Sequence, residues 1–277
     1  MSTHGGVMLD DRAVATMMID AVRVDMCTES AVLECIRRQL NHVGGRMLAV
    51  GSANLDHLHH FTARSADRPG YVVGDGDVDW LLLADGVPIV RRARKLTGVR
   101  WPRLTGADLL VPILAVVEQQ GATVGFLGGQ APMHEVLEHE IAVRFPGLSG
   151  VRCWAPARAE IDDPTRAAAL ATLVREAGID LLVVGLGKPR QELWIDRHGV
   201  NCGASVALAF GASADFLAGA ASRAPKPMQS FGLEWLYRLA TEPRRMANRY
   251  LVQGPPAWWT ARGARVMDDP SMGRVLS

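Results

Sequence analysis

The stretch IDLLVVGLGKPRQELWIDRHG, residues 179–199, decides the fold. It opens on a continuous apolar run, the pattern of a strand covered on both faces of a parallel sheet. Gly185 and Gly187 break the run, and a helical pattern follows from Lys188 to Gly199. A strand that turns through glycines into a helix is part of a βαβ unit, and open parallel sheets hold their ligands at such mouths.

The same alternation continues to either side. RMLAVG (46–51), WLLLAD (80–85), ATVGFLGG (122–129), GVRCWAP (150–156) and ASVALAFG (204–211) read as strands. NLDHLHHFTAR (54–64), TGADLLVPILAVVEQQG (105–121), APMHEVLEHEIAVRFPG (131–147) and DPTRAAALATLVREAG (163–178) read as helices, the last with an Asp cap and Pro at its start. Strands alternating with helices predict an α/β fold, a Rossmann-like and mostly parallel sheet flanked by helices. The pattern breaks near Arg223. RAPKPM (223–228) reads as a Pro-rich hinge, and SFGLEWLYRLATEPRRMANRYLVQGPPAWW (230–259) as a basic helical appendage. The predicted organisation is a helical N-terminal extension over 1–45, a catalytic core over 46–220 and the appendage over 221–277, its last dozen residues disordered.

The chain has 277 residues, of which 48% are apolar, enough for one large core. A net charge of +1 gives no overall basic field for nucleic acid. Between 221 and 265, however, eight Arg or Lys face two glutamates, an excess that asks for an anionic partner. The four cysteines are scattered without zinc or disulfide spacing and read as reduced thiols of a cytosolic protein. No signal peptide is read at the N-terminus, and no window holds the ~18 apolar residues of a membrane span.

Five strand ends carry polar or glycine-rich residues: GSAN (51–54), ADG (84–86), FLGGQAP (126–132), GLGKPRQE (185–192) and AFGASADF (209–216). Glycines let backbone amides approach a ligand and helix N-termini favour anions, so a phosphate-bearing ligand is expected. The glycines could equally serve only to close tight turns, and neither a P-loop nor GxGxxG is present. Asp85 ends an apolar strand; it is either a general base low in a cleft or the cap of a helix starting near Val87. Arg103 either contacts a diphosphate or a sugar, or is solvated. His57 and His60 share a helical face, but no carboxylate pattern completes a metal site.

In order and spacing, NLDH, ADGVPIV, RLTGADLL, GFLGGQ, LLVVGLGKPRQELWI, AFGASADFLAG, RAP and FGLEWLYRLATEPRRMANRYL resemble the WecG/TagA/CpsF glycosyltransferases over roughly residues 46–252. The resemblance implies transfer of N-acetylmannosamine or its uronic acid from a UDP-sugar donor to a polyprenyl-diphosphate-linked acceptor, with inversion and without a metal cofactor. The setting it implies is the cytoplasmic membrane face, in teichoic acid, enterobacterial common antigen or capsule assembly. It gives Asp85 the role of base and places Asn54, Arg103 and Gln191 in the pocket beside the donor. Asp215 matches a position contacting the uracil ring, and Gly185 and Gly187 fit a backbone lying against the nucleotide. Ser52 stands where the family usually has threonine, and Thr105 follows in the stretch begun by Arg103. GYVVGDGDVDW (70–80) departs from the helix usual there, and its DGD (75–77) raises a metal-binding D-x-D alternative to which the resemblance gives no role.

Without a metal, helix N-termini and arginines must carry the diphosphate charge. Leu233, Leu236 and Tyr237 fall on one helical face, and Arg223, Arg238, Arg244 and Arg249 are the basic candidates of the appendage. Arginines with interfacial tryptophans suit an anionic membrane surface, although a helical pair packed on the core would show the same composition. The resemblance favours the membrane reading, with the appendage closing over the site. Truncation at 220 is then expected to raise solubility and abolish activity on a lipid-linked acceptor. An NAD-dependent oxidoreductase, a non-catalytic nucleotide-sugar-binding protein and a UDP-sugar hydrolase are the competing readings. Self-association is left open.

Overall fold

The computed structural model describes residues 15–42, 44–62, 73, 77–211, 213–219, 224–225, 228 and 233–267. Among these residues nine strands form one sheet: β1 (Ala15–Ile19), β2 (Val22–Met26), β3 (Met47–Ala53), β4 (Val78–Ala84), β5 (Val124–Gly128), β6 (Val151–Trp154), β7 (Leu181–Gly185), β8 (Val206–Ala209) and β9 (Arg265–Met267). Their spatial order is β6-β5-β7-β8-β3-β4-β2-β1-β9. Every pairing from β6 to β2 is parallel, and β1 runs antiparallel to both β2 and β9. The mixed α/β architecture with a mostly parallel sheet is as the alternation predicts.

Period-two alternation explains how one sheet carries two cores. In β7, Leu182 and Val184 enter one buried cluster while Leu181 and Val183 enter the other. In β3, Met47, Ala49 and Ala53 face the first cluster, Leu48 and Val50 the second. The first face is covered by α2 (Leu55–Phe61), α3 (Val87–Thr97), α7 (Pro164–Glu176), α8 (Arg190–His198) and α12 (Gly254–Ala261). The second lies under α1 (Glu29–Asn41), α4 (Gly106–Gln119), α5 (Ala131–Arg144) and α9 (Ser213–Leu217). The short α6 (Arg158–Asp162) precedes α7. Helix starts follow side-chain chemistry. Thr28, Asn54, Thr105 and Asp163 each accept a backbone N–H at the head of α1, α2, α4 and α7.

The expected helical extension over 1–45 is corrected. Its described part opens with the β1–β2 hairpin and only then enters α1. The hairpin is held by Asp25, buried between strands, whose carboxylate accepts from Leu82 N at 3.0 Å and from Arg23 Nε at 2.9 Å. It thereby joins β2 to β4, where the two strands share a single register pair, Asp25 with Leu83. The C-terminal segment is helical, as α10 (Glu234–Thr241), α11 (Pro243–Ala247), a π-helical turn (Asn248–Gln253) and α12, but it ends in β9, which pairs with β1. Asp75 and Gly76 of the DGD stretch, most of GYVVGDGDVDW, Arg223 and the last ten residues lie outside the described residues.

Topology locates the cleft. The chain leaves β5 outward to the edge strand β6 but leaves β7 in the opposite direction toward β8. A crevice opens where connections part in this way, beyond the carboxyl ends of the strands.

Candidate active site

That crevice is lined by Gly128 at the end of β5 with Gly129, Gln130 and His134 beyond it, Gly185 at the end of β7, and Gly211 and Asp215 after β8. Its glycines are fixed first by the chain itself. A Cβ on Gly128 would lie 2.6 Å from the carbonyl carbon and oxygen of Gly185, and one on Gly185 would lie 3.1 Å from Gly211 O. The ends of β5 and β7, and the turn after β8, therefore approach this closely because Gly128 and Gly185 carry no side chain, while a Cβ on Gly211 would meet the Gln191 side chain at 3.1 Å. Gly187 has φ +74°, the left-handed region that favours glycine, at the turn into α8. Asp215 lies in the first turn of α9, on the cleft wall with Gly185.

A second cluster stands three strands away, at the ends of β3 and β4. Asn54 caps α2 through Oδ1, which accepts from His57 N at 3.0 Å. Its Nδ2 then donates to Asp85 Oδ2 at 3.1 Å. One side chain thus starts a helix and orients a carboxylate. Gly86, with φ +94°, is the N-cap of α3, and no side-chain bond caps that helix, so the capping reading of Asp85 is set aside. Burial raises the Asp85 carboxyl above the ordinary carboxylate range. The Asn54 amide and the Arg103 and Lys188 cations oppose that rise, and Glu234 adds to it. Arg103 Nη1 pairs with Glu234 Oε2 at 3.0 Å, which ties α10 to the site. Thr105 is engaged as the cap of α4, donating to Asp108 Oδ2 at 2.7 Å.

Between the two clusters lies a buried charged network. Lys188 Nζ donates to Ser52 O at 2.9 Å and to Glu192 Oε1 at 2.6 Å, and stands 3.2 Å from His57 Nδ1. Glu192 and His57 are fully buried, and the Lys188 side chain is 8% exposed. Burial would raise Glu192, but Lys188 and His57 outweigh it and hold the carboxylate down at about 2. Burial and then the Lys188 charge lower His57 to about 4, so the imidazole is neutral and accepts from the ammonium. Gln191 Nε2 donates to Ala209 O at 2.8 Å and to Glu192 Oε1 at 3.1 Å. Its Oε1 has no hydrogen-bond partner among the described residues and lies at Gly211, on the cleft floor. Sequence reasoning missed Lys188, His57 and Glu192 as a unit. The lysine, in the turn before α8, and the glutamate, in its first turn, are four residues apart, a spacing that was legible, but the partners on β3 and α2 were not.

The basic candidates of the C-terminal segment separate. Arg249 pairs with Asp56 of α2 at 3.2 Å, Arg238 lies 5.9 Å over the Phe216 ring, and Arg244 is exposed. Trp258 and Trp259 are 46% and 65% exposed, with the Arg262 guanidinium over both rings. Among the described residues no helix is long and apolar enough to cross a membrane.

Compared with known protein families, residues 17–269 match the glycosyl transferase WecG/TagA/CpsF family. The chain belongs to that family. It is therefore a glycosyltransferase of cell-surface polysaccharide synthesis, a class that uses a nucleotide-sugar donor and a lipid-linked acceptor. In this WecG/TagA/CpsF transferase both clusters lie at the carboxyl ends of strands of one parallel sheet. The crevice lies at the ends of β5, β7 and β8, and the Asp85 carboxylate lies at the end of β4. At about 4.8 Å per strand, Asp85 and Gly185 stand roughly 14 Å apart across the sheet.

Proposed function

We propose that the chain is an inverting glycosyltransferase that moves N-acetylmannosamine or its uronic acid from a UDP-sugar to a polyprenyl-diphosphate-linked sugar. The observation that carries the reading is Asp85, held by Asn54 at the mouth of β4 with its basicity raised by burial. Asn54 occupies one lone pair of Oδ2, and the carboxylate retains capacity for a substrate hydroxyl. In this reading the acceptor O–H proton passes to Asp85 as the oxygen bonds to the anomeric carbon. The bond from that carbon to the diphosphate breaks on the opposite face, and UDP leaves with the electron pair. The uridine end belongs at Asp215, Gly185 and Gly187, and the sugar lies toward Asp85 and Ser52. Gln191, through its unpartnered Oε1, serves the donor side. Arg103 meets the diphosphate after release from Glu234, and no metal is needed.

The membrane is the proposed second partner, with the chain peripheral on the inner face of the cell membrane. Leu233, Trp235, Leu236, Leu251, Val252, Trp258 and Trp259 are exposed on the C-terminal segment, beside Arg244 and Arg262. Exposed tryptophans and arginines together suit an anionic lipid interface.

The test is UDP release from UDP-N-acetylmannosamine with a short-chain polyprenyl-diphosphate-N-acetylglucosamine, in EDTA, for wild type and Asp85→Asn. Acceptor-dependent turnover that survives EDTA and collapses in the variant is expected. UDP release without acceptor dependence would favour hydrolysis instead.

A further inference from the structure

The two clusters at the carboxyl ends of the strands are joined through one side chain that the family reading does not use. Lys188 follows β7, on the donor side, and precedes α8. Its ammonium reaches across β8 to the end of β3, where it donates to Ser52 O two residues before Asn54. Its other contacts are His57, whose N–H is capped by Asn54, and Glu192, whose Oε1 also accepts from Gln191. All three ammonium protons are thus spent inside the protein, and Lys188 has none left for a diphosphate. Asn54 is bracketed: Lys188 holds the chain on both sides of it, at Ser52 and at His57, while its own amide holds Asp85.

We propose that Lys188 is a positioning residue, which locks the Asn54–Asp85 pair onto the donor-binding cluster so that base and anomeric carbon keep a fixed separation. The inference rests on the reading of Asp85 as the base. A buried ammonium with three fixed acceptors suits this task. Its geometry is set by four elements at once, β3, α2, the turn after β7, and α8, and moving any one strands a charge in low dielectric. The groups that face Asp85 from surrounding elements are Asn54 from α2, Arg103 from the segment before α4, Lys188 from the turn before α8, and Glu234 from α10. Of these, Lys188 alone is held on both the donor and the base side of the sheet.

The experiment uses the full chain with Lys188→Met/Glu192→Gln, which removes both charges and leaves no unpaired carboxylate, together with Lys188→Arg and Asp85→Asn. The Asp85 carboxyl is titrated by carbon-13 NMR, its signal assigned by its loss in Asp85→Asn. UDP binding is measured by calorimetry, and kcat and donor KM in the turnover assay above. The double variant is expected to bind UDP as wild type does, to titrate Asp85 at higher pH, and to lose about 100-fold in kcat with little change in donor KM. Lys188→Arg keeps the charge but has a planar fork in place of three diverging donors. It is expected to restore the titration and not kcat.

A folded double variant with wild-type Asp85 titration and wild-type kcat would overturn the proposal. The titration needs no substrate, and an unchanged midpoint there counts against the proposal whatever sugar is transferred. Should the double variant not fold, wild-type kcat in Lys188→Arg overturns it. Full activity of Asp85→Asn would bring down the base assignment instead, whereas an inactive Asp85→Asn beside a fully active double variant removes the Lys188 inference alone.

Discussion

Replacing Lys188 by methionine isolates the energetics of the network. The ammonium and the Glu192 carboxylate sit 2.6 Å apart, 8% and 0% exposed. Methionine fills similar volume, so packing changes little, but Glu192 stays buried without its cation and must either keep an unpaired charge or take up a proton. Removing one partner of such a pair costs about 3–5 kcal/mol, against about 1 kcal/mol or less for an exposed pair. For a chain of this size each kcal/mol lowers Tm by about 2–4 °C, so Lys188→Met is expected to melt roughly 10 °C below wild type. Glu192→Gln in that background removes the stranded charge and should recover about 2 kcal/mol, a non-additivity that the double-mutant cycle reads directly. The assay is urea unfolding of wild type, both single variants and the double at pH 7. A Lys188→Met loss of about 1 kcal/mol or less, or strictly additive losses, would show the network to be solvated and the reasoning wrong.

Asp85→Asn is expected to lower kcat by about 10²–10⁴-fold, yet raise Tm at neutral pH, because the amide removes a carboxylate whose burial opposes its ionisation. The sign for His57 runs the other way. With its pKa near 4 in the fold against 6.5 free, the unfolded chain binds the extra proton first, so stability falls as pH drops from 6.5 to 4. Glu192, depressed from 4.5 to about 2, contributes stability that is full above 4.5 and lost as pH falls toward 2. Urea midpoints across pH 2–7 check both, and His57→Gln should flatten the upper part of that range. A Cβ at Gly106 would lie 2.6 Å from Phe210 Cγ and 2.8 Å from Ser213 Oγ, so Gly106→Ala should cost about 1–3 kcal/mol by overpacking, measured as a lowered Tm.

Much of the fold was legible because it rests on local rules. The apolar runs ending at Gly185 and Ala84 are strands, Asp163–Pro164 starts a helix, and Gly187 marks the turn from β7 into α8. What was not legible depends on partners distant in sequence. In the β1–β2 hairpin VRVDM alternates apolar and polar residues but ATMMI does not, and the hairpin's place in the sheet is secured by Asp25 bonding to Leu82 across 57 residues. The network of Lys188 draws on Ser52 and His57, 136 and 131 residues away. The mouth glycines had two readings from sequence. The close approach of backbone at Gly128 and Gly185 already favours glycine there, so the presence of those two says little about a ligand by itself.

The C-terminal segment changes how the membrane proposal must be tested. Ala257, Ala261 and Ala264 are buried in the same cluster as Leu58 and Phe61 of α2. Arg92 of α3 donates to Ala264 O at 2.9 Å, Arg249 pairs with Asp56, and Glu234 pairs with Arg103. Truncation at 220 would therefore uncover apolar surface on α2 and strip partners from Arg103 and Asp56. Lower solubility, not the gain expected from sequence, would follow from loss of that cover, and lost activity would say nothing about lipid. Point changes on the outer face separate the two effects. Trp258→Ser and Trp259→Ser alter side chains 46% and 65% exposed and leave the buried alanines in place. If this face meets lipid, the pair should keep Tm, lose sedimentation with anionic vesicles, and lose turnover on a long-chain acceptor in vesicles but not on a short-chain acceptor in solution. Undiminished vesicle binding by the folded double variant would refute the role of these tryptophans.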